Sequence, residues 1–283
     1  MKVKITSDST CDLSRELLEK HDIALLRILI TLRDRTGRDG VDITSDDICG
    51  YVETSGQLAK TSAVGIAEYG DFFRYWTQQG YSVVHFSLGA GFSSTYRNAC
   101  LAAQELEHVF VVDSANLSTG QGLLVLLGAE MAEKGASAEE ICKTCTETAP
   151  RVEASFVIDS LDYLYKGGRC SALSAFGSNL LKIKPCIEVK NGLMEPTKKY
   201  RGRIDNVFLQ YVEDRLSGRE DIDKSRAFVT HTPCSKESVQ KVIERVRELA
   251  PDFGEILETD AGATVTTHCG PNTLGVLFIR KQG

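Results

Sequence analysis

The chain has 283 residues, room for roughly two domains of about 150 residues each and for a core that needs no disulfide or metal staples. An apolar content of 42% with 25% charged residues excludes a disordered, collagen-like or coiled-coil chain. The net charge of −6 makes it a poor electrostatic partner for nucleic acid.

No apolar run reaches roughly 18 residues, so no transmembrane helix and no stable membrane insertion are expected. The opening Met1-Lys2-Val3-Lys4-Ile5 enters a strand-like run and lacks the apolar core of a secretory signal. Nine irregularly spaced cysteines suit reduced thiols in a cytoplasm better than a disulfide framework.

In chain order, residues 3–6 read as a strand, followed by the polar loop Ser7-Asp8-Ser9-Thr10-Cys11-Asp12. Ser14 opens a short helical pattern. Residues 23–32 form a second strand-like run, too rich in Ile and Leu for a surface element. A polar loop is expected over 33–42. Thr44 with Asp47 three residues on resembles a helix-start box. Residues 66–79 read as a helix and 81–87 as a strand. A Gly-rich turn then leads to a helix from Ser93 or Ser94 to Glu105. Residues 109–112 are the next strand, ending at Asp113-Ser114. Residues 120–134 form a strongly apolar helix stopped by Gly135. Ser137 with Glu140 caps a more exposed helix through Arg151. This alternation suits a parallel sheet covered on both faces.

The second part mixes hairpins and helices. Residues 154–158 read as a strand. Asn191-Gly192 joins strands 184–189 and 194–200 into a hairpin. Helices are expected over 203–216 and 235–249, and strands over 227–230, 256–259 and 274–279. That pattern predicts a mixed sheet with helices on one side. The domains are placed at 1–155 and 156–283, and the chain is allowed more than one crossing between them.

Small hydroxyl residues gather where strands end. Ser7-Asp8-Ser9-Thr10, Ser93-Ser94-Thr95 and Asp113-Ser114 each follow a strand, and Thr61-Ser62 is read as a loop before a helix. In open parallel sheets ligands bind outside the carboxyl ends of strands, and hydroxyls at helix N-termini favour anions. The bland alternative is that these residues only cap helices.

Other chemistry finds less support. Gly89-Ala90-Gly91 has Ser94 where a dinucleotide fingerprint needs its third glycine, and no Walker-type loop occurs. No G-x-S-x-G elbow is present. Cys142-Lys143-Thr144-Cys145 has no second pair at zinc spacing, and Cys145 reads as a buried small hydrophobe on a helix. His231 reads as a strand-end core histidine. His268 precedes a Gly270-Pro271 turn that would fix its ring. Tyr165-Lys166-Gly167-Gly168-Arg169-Cys170-Ser171 reads as a glycine-rich turn with exposed cations, suited to an anionic partner.

Taken together, these segments resemble the DegV family. Asp8-Ser9-Thr10-Cys11-Asp12-Leu13 is similar to its N-terminal D-S-[TC]-x-D-L, and Thr61-Ser62 to the start of its T-S-Q-P-S loop. Phe92-Ser93-Ser94-Thr95-Tyr96 resembles L-S-G-T-Y. Leu164 to Ser171 resembles L-x-K-G-G-R-I-S, Leu181-Lys182-Ile183-Lys184-Pro185 resembles L-x-I-K-P, and His268 to Gly275 resembles H-x-G-P-G-[TA]-x-G. The pattern departs at Ala63-Val64-Gly65, where the family has Q-P-S. It departs again at Gly89-Ala90, in place of a serine pair, and at Ser94, in place of glycine.

The resemblance implies a two-domain α/β protein, with a three-layer parallel-sheet N-terminal domain and a mixed-sheet α/β C-terminal domain. It implies a cytoplasmic bacterial carrier with no cofactor that holds one long-chain fatty acid between its domains. The carrier would present the carboxylate to a separate ATP-dependent fatty acid kinase subunit, doing no chemistry itself and touching membranes only transiently. By position, Thr61, Ser62 and Ser93 would hydrogen-bond the carboxylate, His268 would help hold it, and Arg169 would face the kinase. Hydrogen bonds to a charged group are worth roughly 1.5–3 kcal/mol each, and each buried methylene adds about 0.8 kcal/mol. Two rivals remain open: a serine esterase or acyl transferase using Ser93 with His268, and a lipid-responsive sensor of a protein partner.

Overall fold

The structure is a computed structural model and describes residues 1–169 and 183–283. The chain opens with β1 (Lys2–Asp8), a 3-10 turn at Ser9–Cys11, α1 (Arg15–Lys20) and β2 (Ala24–Leu26). Ser14 caps α1, its hydroxyl accepting the Leu17 N–H at 3.3 Å.

The single strand expected over 23–32 is two strands in two sheets. β2 pairs in parallel with β1, whereas β3 (Leu29–Leu32) leaves for a small antiparallel sheet. The break falls where the Ile28 N–H donates to Ser9 Oγ at 3.1 Å instead of to a strand. The polar loop expected over 33–42 contains β4 (Arg35–Arg38), which returns along β3 after a turn with Arg33 at φ 52°. A left-handed arginine gives no turn signal of the Asn-Gly kind. α2 (Ser45–Ser55) begins at the expected Thr44/Asp47 capping box. β5 (Lys60–Ser62) then closes the small sheet on the other side of β3. Thr61 and Ser62 therefore stand on a strand rather than in a loop.

α3 (Ile66–Thr77), β6 (Tyr81–Ser87), α4 (Thr95–Ala103), β7 (Val109–Asp113), α5 (Thr119–Glu133) and α6 (Ala138–Thr148) follow. The strands stack in the order β2-β1-β6-β7, all parallel. Successive residues of β6 face opposite layers. Val83 packs with Tyr69, Phe73 and Ala99 of α3 and α4. Val84 and Phe86 pack with Leu124 and Ile141 of α5 and α6. The first domain is thus three layers, as expected.

The second half holds β8 (Val152–Glu153), β9 (Ser155–Val157), α7 (Asp162–Gly167), β10 (Lys184–Lys190), β11 (Leu193–Tyr200), α8 (Ile204–Leu216), β12 (Ile222–His231), α9 (Lys236–Leu249), β13 (Glu255–Asp260), α10 (Ala263–Cys269) and β14 (Leu274–Arg280). Its mixed sheet runs β11-β10-β9-β14-β12-β13, with β8 also on β14. The β10–β11 turn has Asn191 at φ 51° and Gly192 at φ 73°, both left-handed as a type I′ hairpin demands. One face is covered by α8 and α9. The other meets α5 through Phe228 and Leu277. The expected one-sided helix layer is therefore completed by a helix of the first domain. Wedged between two sheets, α5 is buried along most of its length, which explains why it is apolar all round.

Two helices escape the sequence reading. α7 occupies part of the expected glycine-rich turn and ends at Gly168, φ 67°. Cys170 and Ser171 of that segment, and Leu181 and Lys182 of the L-x-I-K-P match, lie outside the described residues. α10 reads Ala-Thr-Val-Thr-Thr-His-Cys, a β-branched run with weak helix propensity. Its Ala263 packs with Ile30, Ile43 and Ile48 from the first part of the chain. The eight described cysteines are free, and Cys145 is buried beside Ile141 on α6.

Candidate ligand site

A cavity of about 290 Å³ opens between the carboxyl end of the parallel sheet, the small sheet and α10. Segments far apart in sequence line it. β5 brings Thr61 and Ser62. The loop after β6 brings Ser93. α10 brings His268, and the segment after α7 brings Arg169. All five residues singled out from the sequence meet here. Asp113-Ser114, expected among the converging loops, is absent from the lining. Instead Asp113 Oδ1 accepts the N–H groups of Ala90 at 3.1 Å and Ala115 at 2.8 Å, bracing the neighbouring loop.

The hydroxyls are held by a buried scaffold. Asp8, at the end of β1, accepts the Leu88 N–H at 2.9 Å and the Ser87 hydroxyl at 3.3 Å. It also accepts Gln121 Nε2 at 2.9 Å and the Thr10 hydroxyl. Burial raises its pKa, and these donors oppose the rise. Leu88 starts the loop that ends in Ser93, so Asp8 sets where that loop leaves the sheet. Gly89 lies against the 115–116 backbone, where a Cβ would come within 2.9 Å of Asn116 N. A side chain at position 89 would therefore have to displace that backbone.

Ser93 also serves as a cap: its Oγ accepts the Thr95 N–H at 3.2 Å and lies 2.6 Å from Thr95 Oγ1. With the Thr95 hydroxyl donating, the Ser93 O–H proton remains for a ligand.

His268 Nε2 lies 3.0 Å from Thr61 Oγ1. Its Nδ1 is buried with no hydrogen-bond partner among the described residues, against Gly167, where a Cβ would stand 3.0 Å from that nitrogen. Burial, with the charge of Arg169, pushes the His268 pKa down to about 4. The ring is neutral at pH 7 and carries one proton. On Nδ1 that proton would be a buried unpaired donor, a costly state. We assign it to Nε2, donating to Thr61 Oγ1, which turns the Thr61 O–H outward as a donor. Arg169 Nη1 donates to Gly167 O at 2.6 Å, holding the guanidinium at the cavity's edge.

The other walls, Leu88, Phe92, Leu117, Met194 and Val265, are apolar. Beyond Leu117, Val265 and Cys269 lies a second space of about 30 Å³, reaching Phe156 and Leu277 of the mixed sheet. No local sequence motif marks these walls. Their one available sign was the apolar alternation of the strands, which fixes a face and not a cavity. Among the described residues, no cluster of His, Cys, Asp or Glu could hold a metal, and no helix is long and apolar enough to cross a membrane.

The hairpin tip closes one side. Gly91 packs so tightly on Gly192 O that a Cβ would overlap it. Gly91→Ala is expected to lift the tip off the Ser93 loop and lower stability by about 1–3 kcal/mol. A urea titration matching that of the parent would show that the tip yields freely.

A family model described as an uncharacterised protein of the DegV family matches residues 2–281. A DegV domain-containing protein of Clostridium acetobutylicum is 31% identical over 284 residues, covering 99% of each chain. A protein of Thermotoga maritima named as fatty acid-binding is 32% identical over 286 residues, covering 97% of this chain and 96% of that one. The solved structure of a DegV family protein from Thermus thermophilus, described for its fatty acid binding, superposes with a TM-score of 0.87 at 26% identity. It covers 99% of this chain and 100% of that one.

Proposed function

The chain belongs to the DegV family, and from that premise we propose that it is a carrier holding one long-chain fatty acid between domains 1–155 and 156–283. The carboxylate sits on the hydroxyls of Thr61, Ser62 and Ser93, with His268 behind Thr61. The acyl chain runs inward along Leu88, Leu117 and Val265 toward the second space. The carrier works in the cytoplasm and presents the carboxylate past Arg169 to a separate ATP-dependent kinase subunit, which forms the acyl phosphate.

One observation carries this reading: hydroxyl donors and a neutral histidine converge at the mouth of a largely apolar cavity. Such donors hold a carboxylate without burying a permanent cation. Fatty acid binding in the Thermus thermophilus structure and in the Thermotoga maritima relative supports the same ligand. The esterase reading is less favoured. Among the described residues, no hydrogen bond joins Ser93 to His268: Ser93 pairs with Thr95 and His268 with Thr61. A general base has to reach its nucleophile.

The test is mass spectrometry of small molecules released by organic solvent from the purified protein. A stoichiometric long-chain fatty acid is expected. A protein that comes empty and takes up neither oleate nor palmitate would sink the proposal.

A further inference from the structure

We infer that Asp39, with Asp12 beside it, positions His268 over Thr61 by clamping the far end of the helix that carries it. This inference rests on the carboxylate site proposed above.

α10 has little reason of its own to be a helix. It has seven residues, about 10 Å of length, and isolated helices that short do not hold in water. Four of its residues are threonine or valine. Packing of its buried residues holds it in place, and a set of bonds fixes its N-terminus. Asp39 Oδ1 accepts the N–H groups of Ala263 at 2.9 Å and Thr264 at 3.3 Å. Asp39 Oδ2 accepts the hydroxyls of Thr264 and Ser9, each at 2.8 Å. Asp12 accepts the Gly262 N–H at 2.9 Å and the Ser118 hydroxyl at 2.6 Å. Carboxylates there also match the positive end of the helix dipole.

Asp39 is itself held in place. It follows β4 and is anchored to the small sheet, its N–H donating to Ile28 O at 2.9 Å. Arg27 Nη1 donates to Asp39 O at 2.7 Å. The same small sheet carries Thr61 on β5. One rigid unit therefore touches both ends of α10: Asp39 at the start and Thr61 at His268. With both ends tied to one sheet, the His268–Thr61 distance is fixed within that unit. If the Asp39 end is released, α10 can turn about its remaining contacts and His268 moves off Thr61. The N-terminal D-S-T-x-D motif, which contributes only Thr10 to the cavity lining, thereby gains a role: Ser9 and Asp12 complete the clamp.

The experiment follows the ring ¹H–¹⁵N signals of His268 in ligand-free protein, assigned with His268→Gln, together with oleate titration. Asp39→Ala is expected to shift the His268 signals and to weaken oleate by at least about tenfold, the loss of one hydrogen bond to a charged group. Asp39→Asn keeps an oxygen for the helix N–H groups but places an amide against two hydroxyls. It is expected to show a smaller shift and about threefold weaker binding, and the His268 ring signals of the folded protein, which a general loss of stability would leave in place, separate the clamp from destabilisation. His268 signals and oleate affinity identical to the parent in Asp39→Ala would overturn the inference. If that variant does not fold, the same identity in Asp39→Asn overturns it. A parent protein that binds no oleate would sink the carrier reading, while the His268 signals would still decide the clamp.

Discussion

Replacing Thr61 and Ser93 together by alanine is expected to weaken oleate binding by about a hundredfold or more. Two hydrogen bonds to a charged group are lost, each worth roughly 1.5–3 kcal/mol. The lower bound sums to about 3 kcal/mol, and each 1.4 kcal/mol is a factor of ten. The single variants should each cost about tenfold or more. Removing Thr61 also strands His268 Nε2, which lies 3.0 Å from it, so the Thr61 variant should be the worse of the two. The Thr61 variant should also lose about 1–3 kcal/mol of stability, the cost of leaving the largely buried His268 Nε2–H without its acceptor. The Ser93 change should cost about 1 kcal/mol of helix capping at Thr95. Isothermal titration and a thermal melt on the same samples separate the two effects. A double variant that holds oleate as tightly as the parent would place the carboxylate elsewhere. The comparison also separates carrier from esterase: a carrier variant loses affinity in proportion to lost donors, whereas an esterase variant loses turnover while still binding its ester.

The parts of this fold that could be read from sequence are those encoded within a few residues. Thr44 with Asp47 and Ser137 with Glu140 form the expected capping boxes, because a cap bonds three residues along. Asn191-Gly192 is a turn because both φ angles are positive. The strand at Tyr81–Ser87 has the expected bounds. The parts that could not be read depend on distant bonds. The split after Leu26 needs Ser9 Oγ to take the Ile28 N–H. α10 needs Asp39, more than two hundred residues earlier, to cap a run that local propensity would make a strand. The same division applies to the site. Strand-end hydroxyls could be picked out because loops at the carboxyl ends of parallel strands face a common crevice. That Asp113 braces a loop while Thr61 faces the cavity depends on how the small sheet folds over, which no local pattern states.

Acid should destabilise the protein through its buried histidines. His85 is fully buried, edge-on to Tyr69 and Phe73 at 5.2 and 5.3 Å between ring centres. Its Nδ1 lies 3.0 Å from Thr6 Oγ1, and its Nε2 has no hydrogen-bond partner among the described residues. Burial pushes its pKa down to about 3, and that of His268 to about 4. The unfolded chain binds these protons near pH 6.5, before the folded chain does. Stability is therefore whole above about pH 6.5 and falls as pH drops toward the folded values. At pH 5 each histidine costs about 2 kcal/mol, or about 4 kcal/mol for the pair. The buried Asp8, Asp12 and Asp39 act in the opposite sense. Their pKa values are raised chiefly by burial, so the folded chain takes those protons first and acid relieves their cost. The net slope of the parent mixes both signs, and a variant isolates one. His85→Phe fills the aromatic pocket and has no proton to bind. Its loss of stability between pH 7.5 and 5 should be about 2 kcal/mol smaller than the parent's, read from urea titrations at the two pH values. The Thr6 hydroxyl loses its partner at both, so that cost cancels in the difference. Equal pH dependence in parent and variant would mean that water or a backbone shift already solvates His85, and that its burial does not hold the ring neutral.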